Sequence, residues 1–184
     1  GLSRKEDGLD LTEPASVSDV FGRLEGPFDL IFVATGILAP NGCRPEKSLA
    51  SVELNIMTHV MVVNAIGPAL ILKEVPRLLP RKGRSVTAVL TARVGSIGDN
   101  RMGGWYSYRA SKAAANQIVR TAAKEAVVVA LHPGTVATSF TADYAARGKL
   151  EPGVAARSLL SVLDRLTAEQ NGRFFDYAGL AVPW

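Results

Sequence analysis

One cysteine, Cys43, is all that 184 residues provide, so no internal disulfide forms and no cysteine-rich zinc cluster exists. Long apolar runs are also lacking. None reaches the roughly eighteen residues of a membrane span. Residues 1–15, with Arg4, Lys5, Glu6 and Asp7, do not form the apolar centre of a signal peptide. These absences lead to the expectation of a cytoplasmic protein with no membrane partner. Charge of one sign is scarce too, with 21 basic against 17 acidic side chains scattered along the chain, the pattern of a solvated surface rather than of nucleic-acid binding. His59 reads as a packing or surface residue, and His132, ahead of Pro133, as extended backbone; with so few donors no metal site is expected. No Gly-x-Ser-x-Gly elbow occurs, and Gly95-Ser96-Ile97-Gly98 has the wrong spacing for a serine hydrolase. Repeats and low-complexity tracts are absent.

What is present is a hydrophobic share of 47%, enough for one domain over residues 1–184 with a substantial core. Residues 28–34, 85–91 and 126–131 are apolar runs rich in β-branched side chains, the pattern of strands buried on both faces of a parallel sheet. Residues 8–12 read as a short strand and 172–177 as a final one. Helical patterns cover 17–24, with Thr12 or Ser16 as its cap, then 45–79, 108–124 and 155–166. Alternating strands and helices predict an α/β fold, a doubly wound parallel sheet of Rossmann type in three layers. In the long helix, Asn64 needs buried partners, and Pro68 lacks an amide and frees a carbonyl upstream.

The chemistry concentrates in Gly104-Trp105-Tyr106-Ser107-Tyr108-Arg109-Ala110-Ser111-Lys112. On a helix Tyr108 and Lys112, four apart, project from one face. An ammonium near a phenol favours the phenolate and lowers its pKa from about 10 toward neutrality, which suits acid–base work.

This string, with Arg93-Val94-Gly95-Ser96-Ile97-Gly98-Asp99-Asn100 before it, resembles the short-chain dehydrogenase/reductase family, in particular its C-factor and sniffer-like carbonyl reductases. The resemblance implies catalytic roles for Tyr108, Lys112 and Asn64, and a nicotinamide cofactor, NADP(H) favoured with NAD(H) as the alternative. Ser3 and Arg4 would meet the 2′-phosphate. Asp10 and Leu11 would border the adenine, although Asp10 also suits a turn. Ala34-Thr35-Gly36 replaces the usual Asn-Ala-Gly, and Pro133, Gly134, Val136 and Thr138 would hold the nicotinamide and phosphate region. Phe140 and Tyr144 match a substrate-side flap that, with Met102, Trp105 and Tyr106, walls an apolar pocket. The family's usual serine is replaced by Ala92; of the nearest hydroxyls, Thr91 and Ser96, the second is the expected substitute.

Two further expectations concern continuity. The resemblance places Gly1 after the family's second strand, so that the first β-α-β segment with its glycine-rich turn would lie upstream, and the absence of turn residues at Lys124-Glu125-Ala126 suggests a break after Glu125. The expected activity is hydride exchange with a small-molecule carbonyl or alcohol in a homodimer or homotetramer. The rival is a non-catalytic nucleotide-sensing or signalling protein of the same fold, favoured by Ala92, Ala34 and the missing phosphate loop.

Overall fold

In the computed structural model, which describes residues 1–142 and 148–184, four strands form one parallel sheet in chain order. They are β1 (Leu30–Val33), β2 (Val86–Leu90), β3 (Val128–His132) and β4 (Phe174–Asp176). Register is set by pairs such as Phe32 with Ala88, Ala88 with Val129, and His132 with Asp176. Each strand sends alternate side chains to opposite faces. Val89, Val128, Ala130 and Phe174 join one core, with α2 (Pro14–Gly22) and α4 (Gly67–Glu74) as well as α5 (Tyr106–Ala122). Val86, Ala88, Val129, Leu131 and Phe175 join the other, against α6 (Pro152–Asp164). The result is the three-layer, doubly wound arrangement that the alternation of elements predicts.

Several local expectations change. Residues 8–12 form no strand. After the single turn α1 (Arg4–Asp7), the Ser16 hydroxyl donates to the Gly8 carbonyl at 2.8 Å and accepts from the Asp10 amide at 2.7 Å, which folds the segment back instead of extending it. Consequently neither Thr12 nor Ser16 caps α2: Glu13 stands at the N-cap, without a side-chain bond, and Pro14 opens the helix. Strand β1 lies at an edge of the four-stranded sheet, and Leu30 is exposed rather than buried on both sides.

The helix expected over 45–79 begins only at α3 (Leu54–Met61), after a 3-10 turn at Leu49–Ser51. It continues through a π-turn at Val62–Ile66, α4 and a 3-10 turn at Val75–Leu78. The π-turn carries Asn64 and directly precedes Gly67-Pro68; its wider ring is closed by the Gly67 amide on the Val62 carbonyl. Although polar residues interrupt its apolar runs, Leu54–Leu78 is long and apolar enough to cross a membrane by length and composition. Here it connects two paired strands, and Val60, Ala65, Ile71, Leu72, Val75 and Leu78 along it are buried. From α5 the chain enters β3 through a turn over 123–126, in which the Glu125 and Ala126 amides both bond the Ala122 carbonyl.

Candidate active site

Helix α5 sets the centre. Ala-rich and free of Gly and Pro, it runs from the carboxyl ends of β1 and β2, where ligands lie in doubly wound folds. Tyr108 and Lys112 face inward from it, 6% and 4% exposed. The Lys112 ammonium donates to the Leu90 carbonyl at the end of β2, 3.1 Å away, and lies 5.9 Å from the centre of the Tyr108 ring. Gly95 permits this approach: a Cβ there would stand 2.7 Å from the Lys112 backbone carbon. The Tyr108 ring sits between Trp105, edge-on at 6.1 Å, and Phe140, tilted at 6.0 Å.

Electrostatics here run opposite to the expectation for the phenol. Burial raises the Tyr108 pKa instead of lowering it, and burial pushes Lys112 down from 10.5 to about 8. The cause is desolvation. Both charged forms lose water, while the ammonium bonds a backbone carbonyl and not the phenol.

Asn64 joins three elements. Its Oδ1 accepts from the Ile37 amide at 2.8 Å, and its Nδ2 donates to the Ile37 carbonyl at 2.8 Å and to the Ser111 hydroxyl at 3.0 Å. That hydroxyl donates in turn to the Tyr108 carbonyl, so the exit of β1, the π-turn and α5 are tied together. Gly36 belongs to this junction: a Cβ there would lie 3.1 Å from the Lys112 ammonium and 3.3 Å from Asn64 Oδ1. Exposed Ala34 precedes it, and Thr35 has a buried hydroxyl without a partner.

Ser96 is not seen reaching this centre. Its hydroxyl, 2% exposed, accepts from the Asp99 amide at 3.1 Å and shapes the following turn. Thr91, 3% exposed, keeps an unpartnered hydroxyl. Beyond β3, Gly134 adopts φ +78°, and a Cβ there would meet the Tyr177 ring at 2.9 Å. Val136 bridges Leu150, and Thr138 forms a reciprocal cap with Thr141 on the turn that presents Phe140. His132 is pushed down to about 4 by burial, His59 is exposed, and no cluster able to hold a metal occurs among the described residues. Tyr144 falls outside the described residues.

Ser3 and Arg4 open the single turn α1. Ser3 caps α1 by accepting from the Glu6 amide, and the Arg4 guanidinium, 75% exposed, stands 3.9 Å from Asp10. Asp10 accepts from both the Thr12 amide and hydroxyl, the turn-forming role open to it, and these bonds hold its carboxyl below the usual range. Leu11 is buried against Gly67, where a Cβ would fall 2.7 Å from Leu11 Cβ.

Sequence reasoning missed Ser111, although it lies within the quoted motif, and Glu46 with Ser107. The Glu46 carboxylate, 5% exposed, accepts from the Ser107 amide at 3.2 Å and from the Ser107 hydroxyl. A lone glutamate in a loop 61 positions away carries no signal of that pairing.

Comparison with known proteins gives a consistent result. Residues 8–170 match the family model described as enoyl-(acyl carrier protein) reductase. The chain is 35% identical over 188 residues to 1-hydroxy-2-glutathionyl-2-methyl-3-butene dehydrogenase of a Rhodococcus strain, covering 97% of this chain and 80% of that protein. It is 38% identical to the C-signal of Myxococcus xanthus over 86% of this chain and 94% of that protein. A solved short-chain dehydrogenase/reductase of Burkholderia multivorans with bound NADP superposes with a TM-score of 0.81 at 28% identity, over 96% of this chain and 75% of that one.

Proposed function

Because the chain belongs to the short-chain dehydrogenase/reductase family, and is thus an oxidoreductase of that type, we propose that it reduces a small-molecule carbonyl, or oxidises the matching alcohol, with NADP(H) preferred over NAD(H). The observation that carries this reading is the buried Tyr108–Lys112 pair on one helix face beside the side-chain-free gap at Gly36. The residues present fit the nicotinamide half of the cofactor: Gly36 leaves room next to an ammonium, and the Thr35 hydroxyl has a bond to make. At the other end the exposed Arg4 cation suits a 2′-phosphate, in keeping with the NADP bound by the Burkholderia relative.

Bound NADP(H) supplies the hydride. Tyr108 donates the proton to the carbonyl oxygen, and its high pKa in the closed site keeps that proton in place until the oxygen becomes basic. Lys112, with a pKa near 8, would bind the ribose of the cofactor and return a proton to the phenol after Tyr108 has given up its own. Asn64 holds the β1 exit and α5 at fixed separation. Ser96, buried and accepting from the Asp99 amide, shapes the turn beside the site. Trp105 and Phe140 keep water from the ring. Leu54, 80% exposed, and Ile66, 48% exposed, supply apolar surface for a homodimer or homotetramer. The buried phenol–ammonium pair favours this reading over the non-catalytic rival, since a sensor has no need of it.

Tyr108→Phe tests the proposal. Reductase turnover is expected to fall at least about a hundredfold, the scale of lost acid catalysis, with NADPH binding retained. Unchanged turnover would sink the assignment.

A further inference from the structure

The first turn of α5 is capped from elsewhere in the chain. Trp105 occupies the N-cap position with φ 54°, and an indole cannot accept the amide protons that a Ser or Asp would take. Glu46 supplies the acceptors instead. Its Oε2 takes the Ser107 amide at 3.2 Å, its Oε1 takes the Ser107 hydroxyl, and its backbone carbonyl takes the Trp105 amide. Gly104, just before Trp105, adopts φ +66°, a left-handed conformation that glycine takes without strain and that turns the chain into this contact. Both partners are buried, Glu46 at 5% and Ser107 at 1% exposure. A carboxylate there is favoured by the helix dipole and costly to leave unpaired, so the arrangement is fixed on two sides.

Tyr108 is the next residue after Ser107, and the Trp105 ring rests edge-on against it. We infer that Glu46 is a positioning residue for Tyr108, clamping the first turn of α5 so that the phenol and the indole beside it are presented at one fixed reach. The inference rests on Tyr108 being the proton donor.

The experiment compares wild type with Glu46→Ala, Glu46→Gln, Ser107→Ala and Tyr108→Phe. Each is assayed for NADPH-dependent reduction of 4-nitrobenzaldehyde and for hydrogen exchange at the residue 107 amide. Glu46→Ala is expected to lower kcat about ten- to a hundredfold, the cost of a displaced catalytic group, with KM for NADPH unchanged within about twofold and faster exchange at Ser107. Glu46→Gln retains an acceptor oxygen for the amide and is expected to restore kcat to within about fivefold of wild type. Should Glu46→Ala fail to fold, Ser107→Ala removes the hydroxyl arm of the clamp from the helix side and is expected to lower kcat about three- to tenfold, again at constant KM.

Wild-type kcat in a folded Glu46→Ala or Ser107→Ala protein overturns the inference. So does a Gln variant no better than Ala, a loss confined to KM, or unaltered exchange in Glu46→Ala. Failure of the functional reading has a different signature: Tyr108→Phe then turns over like wild type, and the positioning role falls with it even where exchange reveals the clamp.

Discussion

Replacing Lys112 with Met should abolish turnover and stabilise the fold at neutral pH. The ammonium is 4% exposed and its pKa is pushed from 10.5 to about 8 by desolvation, which corresponds to about 3 kcal/mol of charge burial held against folding. Met fills a similar volume without that penalty but leaves the Leu90 carbonyl without its 3.1 Å donor, a loss of about 1 kcal/mol. The net gain at pH 7 is thus about 2 kcal/mol, or about 4–8 °C in Tm for a chain of this size. The sign follows from proton uptake. Below pH 8 both folded and unfolded chains hold the lysine proton and the penalty is complete. Between about 8 and 10.5 only the unfolded chain holds it, so wild-type stability rises with pH and the advantage of Met fades. Tyr108, raised by burial, lowers stability above about pH 10 in both proteins and cancels in the comparison. Urea unfolding from pH 6.5 to 10 measures the difference. A Met variant less stable than wild type at pH 7, or a difference independent of pH, refutes the reasoning.

Three other outcomes are expected. Gly95→Ala drives a Cβ to 2.7 Å from the backbone under Lys112 and should cost about 1–3 kcal/mol together with turnover, whereas Gly22→Ala, with nothing within 4 Å, should be neutral or stabilising in the same melts. Ala92→Ser restores a hydroxyl at the end of β2, where the backbone is extended and partly open, and should raise kcat about tenfold; steady-state kinetics with a ketone would show it. Arg4→Ala should weaken NADPH binding about tenfold and leave NADH binding unchanged, as fluorescence titration can test.

Much of this molecule is written locally. The apolar runs at 28–34, 85–91 and 126–131 and the final strand expected at 172–177 became β1 to β4 with ends shifted by a residue or two, because side-chain alternation and β-branching are properties of neighbours in sequence. Likewise the Tyr108–Lys112 spacing specifies one helix face, and the Asn64-to-Pro68 stretch announces a disturbed helix that the fold realises as a π-turn. Residues 8–12 failed as a strand because Ser16, outside the segment, claimed its backbone groups.

Tertiary structure alone decided the properties that depend on distant atoms. The direction of the Tyr108 and Lys112 pKa values is set by how completely Trp105, Phe140 and the β2 terminus remove water, and spacing along a helix cannot report desolvation. Ser96 entered the turn to Asp99 instead of being shown at the phenol. Glu46 reached the head of α5 across 61 positions, a pairing that exists only once the loop after β1 has been brought over the helix. Residue types and periods thus determined which elements form and which side chains share a helix face; burial and long-range hydrogen bonds determined their protonation and their aim.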